Sequence, residues 1–188
     1  MMKMNLLITL ILAGMAMAKF TILLSSTMKD CNGLKGGCQS DYLVCCMGAP
    51  DDTYQSVYTI GLDRYDVFAS FKPHNGQKCG TVYNYASYGS QPLCLNGPGI
   101  SGALVHKGPL VKSFSRGLGG VHAATEAVTE PEIKSQEFNV YGYVEDGTAY
   151  TIEIDSEQGK AYQNLTTDAE KIDFIKIHHT WVGAVDQN

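Results

Sequence analysis

Six cysteines are the residues of this chain whose chemistry is easiest to identify. They are Cys31, Cys38, Cys45, Cys46, Cys79 and Cys94. None of them belongs to a C-x-x-C pair with a matching second pair or histidine pair, which a structural zinc site needs to complete its tetrahedron. An even number of cysteines behind an export signal is typical of a disulfide framework. The sequence therefore predicts three disulfides and no metal site.

Few other residues have a type and spacing that indicate catalysis. Ser101 lacks the glycines of the G-x-S-x-G turn, so we interpret it as a loop residue. His178 and His179 are adjacent and would point to opposite faces of a strand, and no H-E-x-x-H motif occurs. A hydrolase could use two converging carboxylates, but spacing selects no pair among Asp51, Asp52, Asp63, Asp66, Glu145, Glu153 and Asp155. We therefore name no catalytic residue, expect neither metal nor cofactor, and hold an acid-dependent secreted hydrolase as the alternative.

A tyrosine-rich segment at 81–92 is the candidate recognition surface. Tyr83, Tyr85 and Tyr88 alternate with small polar residues there. Tyrosine offers a large contact area at a low entropy cost, which suits a partner-binding face. Ordinary sheet aromatics beside a polar loop would give the same pattern. If the three rings formed a flat exposed row, a carbohydrate-binding module would be favoured.

One further site is a modification signal. Asn164, Leu165 and Thr166 form an N-glycosylation sequon, which in an exported chain predicts a glycan on an exposed Asn164.

The net charge excludes some classes of partner. The formal charge is −5 at pH 7, and no basic patch or long run of one sign occurs. Nucleic acids and anionic membranes are bound through basic surfaces, so neither is expected as a partner. The same charge argues against a membrane-active toxin or antimicrobial protein.

The first residues have the layout of a cleaved export signal. Lys3 precedes an apolar run at 6–12, and small residues at 13–18 follow it. We predict a signal peptide at 1–18, cut after Ala18, and a secreted mature chain that starts at Lys19. The apolar run is shorter than the ~20 residues that cross a bilayer, so no membrane anchor is expected.

Strand patterns dominate the rest of the chain. Alternation at 54–60 and at 65–71, around loop residues 61–63, predicts two antiparallel strands joined by a short loop. Asp146 and Gly147 predict a type I′ hairpin turn within 137–154, with Tyr143 opposite Tyr150 and Tyr141 opposite Ile152. The other face of that hairpin, which includes Val140 and Thr151, is expected to be half exposed. Further strands are predicted at 81–85, 103–106 and 110–114.

Two helices and a C-terminal strand complete the predicted elements. Short helices are expected near 22–28 and 123–128, and a short strand around Tyr162 and Leu165. Thr167 and Glu170 could form a capping box for a helix, but the alternation of apolar residues favours a strand at 171–182. The resulting fold class is mainly β: a disulfide-stabilised antiparallel sandwich or barrel-like fold with one or two short helices.

The cysteines also suggest how the chain is divided. All six lie within 31–94, and the segment at 96–99, Asn-Gly-Pro-Gly, is a strong breaker. This predicts a cysteine-rich β subdomain at 19–98 and a cysteine-free β subdomain at 99–188. A single domain whose first half is cross-linked is the alternative.

The spacing of the first four cysteines, with six residues in each of the first two gaps and then an adjacent pair, resembles the inhibitor cystine knot of small toxins. That resemblance implies the pairs Cys31–Cys46, Cys38–Cys79 and Cys45–Cys94. The gaps after Cys46 are longer than those of a compact toxin, so a true knottin is not expected. Six cysteines permit 15 connectivities.

The whole layout, with a leader, clustered cysteines and a cysteine-free β-rich remainder, resembles small secreted effector proteins of filamentous fungi. The resemblance is architectural and transfers no individual residue. It implies a non-enzymatic protein that binds an extracellular or host partner, a protein or a glycan, through loops and tyrosines on a braced β scaffold.

Overall fold

The structure, a computed structural model, describes residues 20–26, 30–87, 94–108 and 133–184. Four predictions fall outside these residues: the signal peptide at 1–18, the position of Tyr88, the strand at 110–114 and the helix at 123–128.

The described residues form twelve β-strands and two α-helices. The strands are β1 (Phe20–Ser25), β2 (Gly33–Ser40), β3 (Val44–Met47), β4 (Tyr54–Ile60), β5 (Asp66–His74), β6 (Gln77–Ser87), β7 (Cys94–Ile100), β8 (Gly102–Lys107), β9 (Lys134–Glu137), β10 (Val140–Glu145), β11 (Thr148–Glu153) and β12 (Trp181–Ala184). The helices are α1 (Glu157–Gln163) and α2 (Asp168–His178).

These strands build two sheets. The first sheet has the order β12-β11-β10-β2-β1-β4-β7, and the second has the order β6-β5-β8-β3-β9. Strand β9 pairs in parallel with β3, and the other strand pairs among the described residues are antiparallel. Ile22 of the first sheet and Phe68 of the second are fully buried in one shared core cluster. The predicted fold class, a mainly β, disulfide-stabilised sandwich or barrel-like fold with one or two short helices, is confirmed as a sandwich-like fold, although neither observed helix lies where a helix was predicted.

Each sheet contains strands from both sides of residue 98, where the sequence suggested a boundary. Strand β7 itself continues through the segment at 96–99. It lies at the edge of the first sheet, where Pro98 can be accommodated because an edge position does not require its missing N–H.

All six cysteines form disulfides, as predicted, but the pairing implied by the cystine-knot resemblance is wrong. The observed pairs are Cys31–Cys94, Cys38–Cys46 and Cys45–Cys79. Cys45 and Cys46 are adjacent in β3, so their side chains leave opposite faces of the strand. Cys46 therefore reaches β2 in the facing sheet, whereas Cys45 reaches β6 in its own sheet.

The predicted strands at 54–60 and 65–71 are present as β4 and β5, but they do not pair with each other. Strand β4 pairs with β1 and β7, whereas β5 pairs with β6 and β8. The short loop between them therefore carries the chain from one sheet to the other. Pairing of neighbouring strands was the wrong expectation because alternation reveals a strand but not its partner.

The helix expected near 22–28 is wrong, because 20–25 is strand β1. Every side chain of β1 is buried. A strand that is covered on both faces has a continuous apolar run instead of alternating apolar and polar residues. The spacing of apolar residues in such a run does not distinguish a buried strand from a buried helix.

The hairpin prediction is confirmed in turn and register. Tyr143 lies opposite Tyr150 and Tyr141 opposite Ile152, and Asp146 and Gly147 have positive φ angles of 49° and 77°. The expected half exposure of the other face is wrong. Val140, Val144, Ala149 and Thr151 are buried, because that face packs into a cluster with Leu23 and Tyr58 while α1 and α2 cover the opposite face.

The C-terminal strand predicted at 171–182 is also wrong over most of its length. Residues 168–178 form α2, and only Trp181 and Val182 belong to a strand. Thr167 and Glu170 form the capping box, with each side chain accepting a hydrogen bond from the backbone N–H of the other residue. Likewise α1 replaces the short strand expected around Tyr162.

Candidate functional site

The outer side of the second sheet carries a groove beside the Cys45–Cys79 disulfide. We call it the disulfide groove; its volume is about 640 Å³. Its walls and floor come from β3 and the loop after it, from the start of β6 and the turn before it, and from β9 and the residue before it: Cys45, Met47, Gly48, Pro50, Gly76, Gln77, Lys78, Cys79, Ile133, Ser135 and Glu137. The size is within the range of ligand-binding clefts in proteins.

A glycine and a buried serine hold the β6 side of the groove in place. A Cβ on Gly102 would lie 2.9 Å from Sγ of Cys79 and 3.0 Å from Sγ of Cys45, so the disulfide can cross β8 only above a glycine. Ser101, a loop residue as the sequence indicated, is fully buried; its hydroxyl donates to the carbonyl oxygen of Lys78, and its backbone N–H donates to the carbonyl oxygen of Phe71 at 2.8 Å. The start of β6 is therefore fixed by a covalent bond to β3 and by a hydrogen bond from Ser101, the residue before β8.

The loop after β3 closes one end of the groove. A Cβ on Gly48 would overlap the hydroxyl of Tyr54. That hydroxyl donates to Oδ2 of Asp52 at 3.2 Å, and burial raises the pKa of Tyr54, so it remains a donor. Lys78 Nζ donates to the carbonyl oxygen of Asp52 at 2.8 Å. These contacts tie the loop to β6.

The two described tyrosines of β6, Tyr83 and Tyr85, follow the groove residues along the strand, but their side chains do not form one row. Asn84 lies opposite Ser70 and Val82 opposite Phe71, so Tyr83 is the extra residue of a bulge. Its ring packs on Gly97 of β7, and Lys72 Nζ lies 3.9 Å from the ring centroid. This contact is a cation–π interaction and restrains the ring.

Tyr85 is the more accessible of the two tyrosines. It lies opposite Ala69 in the sheet, so the two side chains are on the same face. The side chain of Ala69 belongs to a buried cluster on the outer side of the second sheet, against which Cys79 and Val82 pack. Tyr85 is 64% exposed and Tyr83 38% exposed. Tyr85 and the disulfide groove therefore share the outer side of the second sheet, whereas Tyr83 faces the first sheet.

The acidic candidates have structural partners in several cases. Asp66 is fully buried, and its Oδ2 accepts hydrogen bonds from Tyr42 Oη at 2.9 Å and from the backbone N–H of Asp63 at 2.8 Å. Glu145 forms an ion pair of 2.6 Å with Lys176. These carboxylates hold a loop and a helix in place.

The two adjacent histidines contact aromatic rings, and the asparagine of the sequon lies on the surface. The ring of His178 packs against Phe174 and that of His179 against Tyr150. Within the described ranges, no three His, Cys, Asp or Glu side chains are grouped as a metal site would require. Asn164 is exposed at the end of α1, where its amide donates to the carbonyl oxygen of Lys160. Its glycosylation stays a prediction.

The disulfide groove was not found by sequence reasoning. Its residues come from three separate segments, 45–50, 76–79 and 133–137, and none of them has a motif. The only signal was the adjacent pair Cys45-Cys46, which implies that one cysteine of a strand faces outward.

No helix among the described residues has both the length and the apolar character needed to cross a bilayer. Three disulfides indicate that the chain matures in an oxidising compartment. Comparison with protein-family models, with curated proteins and with solved structures found no match to this chain.

Proposed function

We propose that this protein is secreted and acts as a non-enzymatic, effector-like binding protein that holds an extracellular or host partner. The partner contacts the outer side of the second sheet, where both Tyr85 and the disulfide groove lie. The observation that carries the proposal is that the groove and the exposed Tyr85 lie on the same outer side of the second sheet and share strand β6, which a disulfide fixes.

Rigidity supports the proposal. A partner pays less ordering entropy when the surface it meets is already held in one conformation. Strand β6 is fixed by Cys45–Cys79, by the Ser101 hydroxyl and by the Lys78 contact to the loop after β3. Tyrosine is among the residues enriched at the energetic centre of protein interfaces.

The test is retention of a partner by variants that differ in one tyrosine. The oxidised protein, Tyr85→Ser and Tyr65→Ser are immobilised and exposed to the same extracellular and host extracts. Tyr65 is the matched control because it is 75% exposed and lies outside β6. We expect the same partner on the unaltered protein and on Tyr65→Ser, with at least about a tenfold loss on Tyr85→Ser.

Two results would contradict the proposal. One is equal retention by Tyr85→Ser and Tyr65→Ser. The other is retention of no partner together with turnover of a polysaccharide or peptide, which would support the hydrolase alternative.

A further inference from the structure

We infer that the disulfide groove binds an extended, basic segment of a partner protein, with an aliphatic side chain on the groove floor and a lysine or arginine beside Glu137. This inference rests on the proposed binding function and adds the chemistry of the segment that is bound.

The floor and one wall of the groove are apolar. Met47, Ile133, Pro50 and the Cys45–Cys79 disulfide supply this surface. An unbranched thioether adapts to irregular shapes, so Met47 can pack against aliphatic side chains of different form. The polar lining residues are Gln77, Lys78, Ser135 and Glu137. Ligand sites commonly combine an apolar surface, which binds an apolar group, with a few polar groups that set the orientation of the ligand.

The charges near the groove favour a cation. Glu137 lines the groove and is exposed, and no ion pair to it is formed within the described part of the chain. Asp51 and Asp52 are exposed and follow the lining residue Pro50. The ammonium of Lys78 is already held by the carbonyl oxygen of Asp52. With the chain at −5 overall, a basic segment meets attraction both at long range and at Glu137.

The backbone of β9 favours a peptide over a compact small molecule. The N–H of Lys134 donates to the carbonyl oxygen of Leu43, so it points towards β3. Backbone groups alternate in direction along a strand, and those of Ser135 therefore point away from β3, at the edge of the second sheet. An extended segment lying along β9 could pair with them while its side chains enter the groove.

The inference can be tested with random heptapeptides displayed on phage and selected on the immobilised, oxidised protein. Selected sequences are then synthesised with a fluorescent label, and their affinities are measured by fluorescence anisotropy. We expect a lysine or arginine next to valine, isoleucine or leucine in the enriched peptides. Their Kd should rise about tenfold with Glu137→Lys and with Ile133→Asp, and should also rise with salt.

Two matched controls separate the groove from general surface effects. Glu153→Lys changes an exposed carboxylate on β11, and Ile177→Asp changes an isoleucine that is 72% exposed on α2. Neither should alter the Kd. Thermal unfolding of each variant identifies loss of fold, and because Glu137 is exposed, Glu137→Lys keeps the test valid if Ile133→Asp unfolds.

Failure of the inference differs from failure of the proposed function. Enrichment of acidic peptides, enrichment of no peptide, or an unchanged Kd in Glu137→Lys would overturn the groove inference. If the natural partner is nevertheless lost with Tyr85→Ser, the proposed binding function stands. A natural partner that is retained by Tyr85→Ser as well as by Tyr65→Ser overturns the proposed function, whatever peptides the groove selects.

Discussion

Lys35 is a single residue whose burial opposes the stability of the fold. It lies in β2 with 5% of its surface exposed, and its Nζ has no hydrogen-bond partner among the described residues. Burial lowers its pKa to about 8. Thr151 lies in the same cross-strand row, with Gly142 between them, and its hydroxyl is also buried and finds no partner in the part of the chain that the structure describes. Buried polar groups without partners reduce stability, so this row is a costly part of the core.

We expect Lys35→Met to stabilise the protein at neutral pH. The folded-state pKa lies below the unfolded value of 10.5, so between pH 8 and 10.5 the unfolded chain binds the extra proton and stability rises with pH. Below pH 8 the full cost remains, about 3 kcal/mol from the shift in pKa. The gain from Lys35→Met should therefore be largest near pH 7 and shrink towards pH 10.

This prediction is checked by urea unfolding at pH 7 and pH 9.5. Lys160→Met is the control, because Lys160 is exposed on α1 and should show no pH-dependent difference. If Lys35→Met raised the free energy of unfolding by the same amount at both pH values, the buried ammonium would not be the cause. The gain would then come from a change in packing or from charges elsewhere.

At the scale of elements, α2 shows how two periodicities can coincide in a short segment. Ile175, Ile177, His179 and Trp181 alternate as a strand would require, but Ile175 is fully buried whereas Ile177 is 72% exposed. Residues two apart lie on nearly opposite sides of a helix, and on the same side of a strand. The exposure difference therefore follows from the helix, which the capping box at Thr167 starts.

The helix predicts unequal effects for two chemically equal substitutions. Ile175→Ala should cost about 2–5 kcal/mol, because it leaves a cavity where α2 packs on Ile152 and Tyr162. Ile177→Ala should change the free energy of unfolding by less than about 0.5 kcal/mol. Chemical denaturation of the two variants measures both values, and comparable losses would argue for a strand.

At the scale of the whole molecule, the disulfides have different roles. Cys38–Cys46 joins the two sheets and is fully buried, while Cys45–Cys79 connects two strands of the second sheet. Cys31–Cys94 connects the segment before β2 to the edge strand β7. Cys79 and Cys94 are only partly buried. A thiolate must reach a sulfur atom of a disulfide to reduce it. The three disulfides therefore differ in how readily a thiol can attack them.

Partial reduction of the folded protein should follow that access. We expect Cys45–Cys79 and Cys31–Cys94 to open before Cys38–Cys46 when a small thiol is added, as measured by alkylation and mass spectrometry of quenched samples. In denaturant the order should disappear, because all sulfurs are then exposed. Early reduction of Cys38–Cys46 in the folded state would contradict this order. It would mean that the thiol reaches the space between the sheets before it reaches the two partly exposed disulfides.

Some of the fold could be read from the chain alone. Local patterns predicted the mainly β class and the strands at 54–60 and 103–106. The hairpin register followed from Asp146 and Gly147, because a two-residue turn determines which residues face each other. The number and spacing of cysteines predicted disulfides, since that inference needs only redox chemistry.

Only the tertiary structure decided the remaining features. It assigned β4 and β5 to different sheets, selected the partner of each cysteine, and made 168–178 a helix that covers the hairpin. It also formed the disulfide groove from distant segments and buried Lys35. Each of these outcomes depends on contacts between residues far apart in the chain, and local periodicity carries no information about which distant surface will cover a given face.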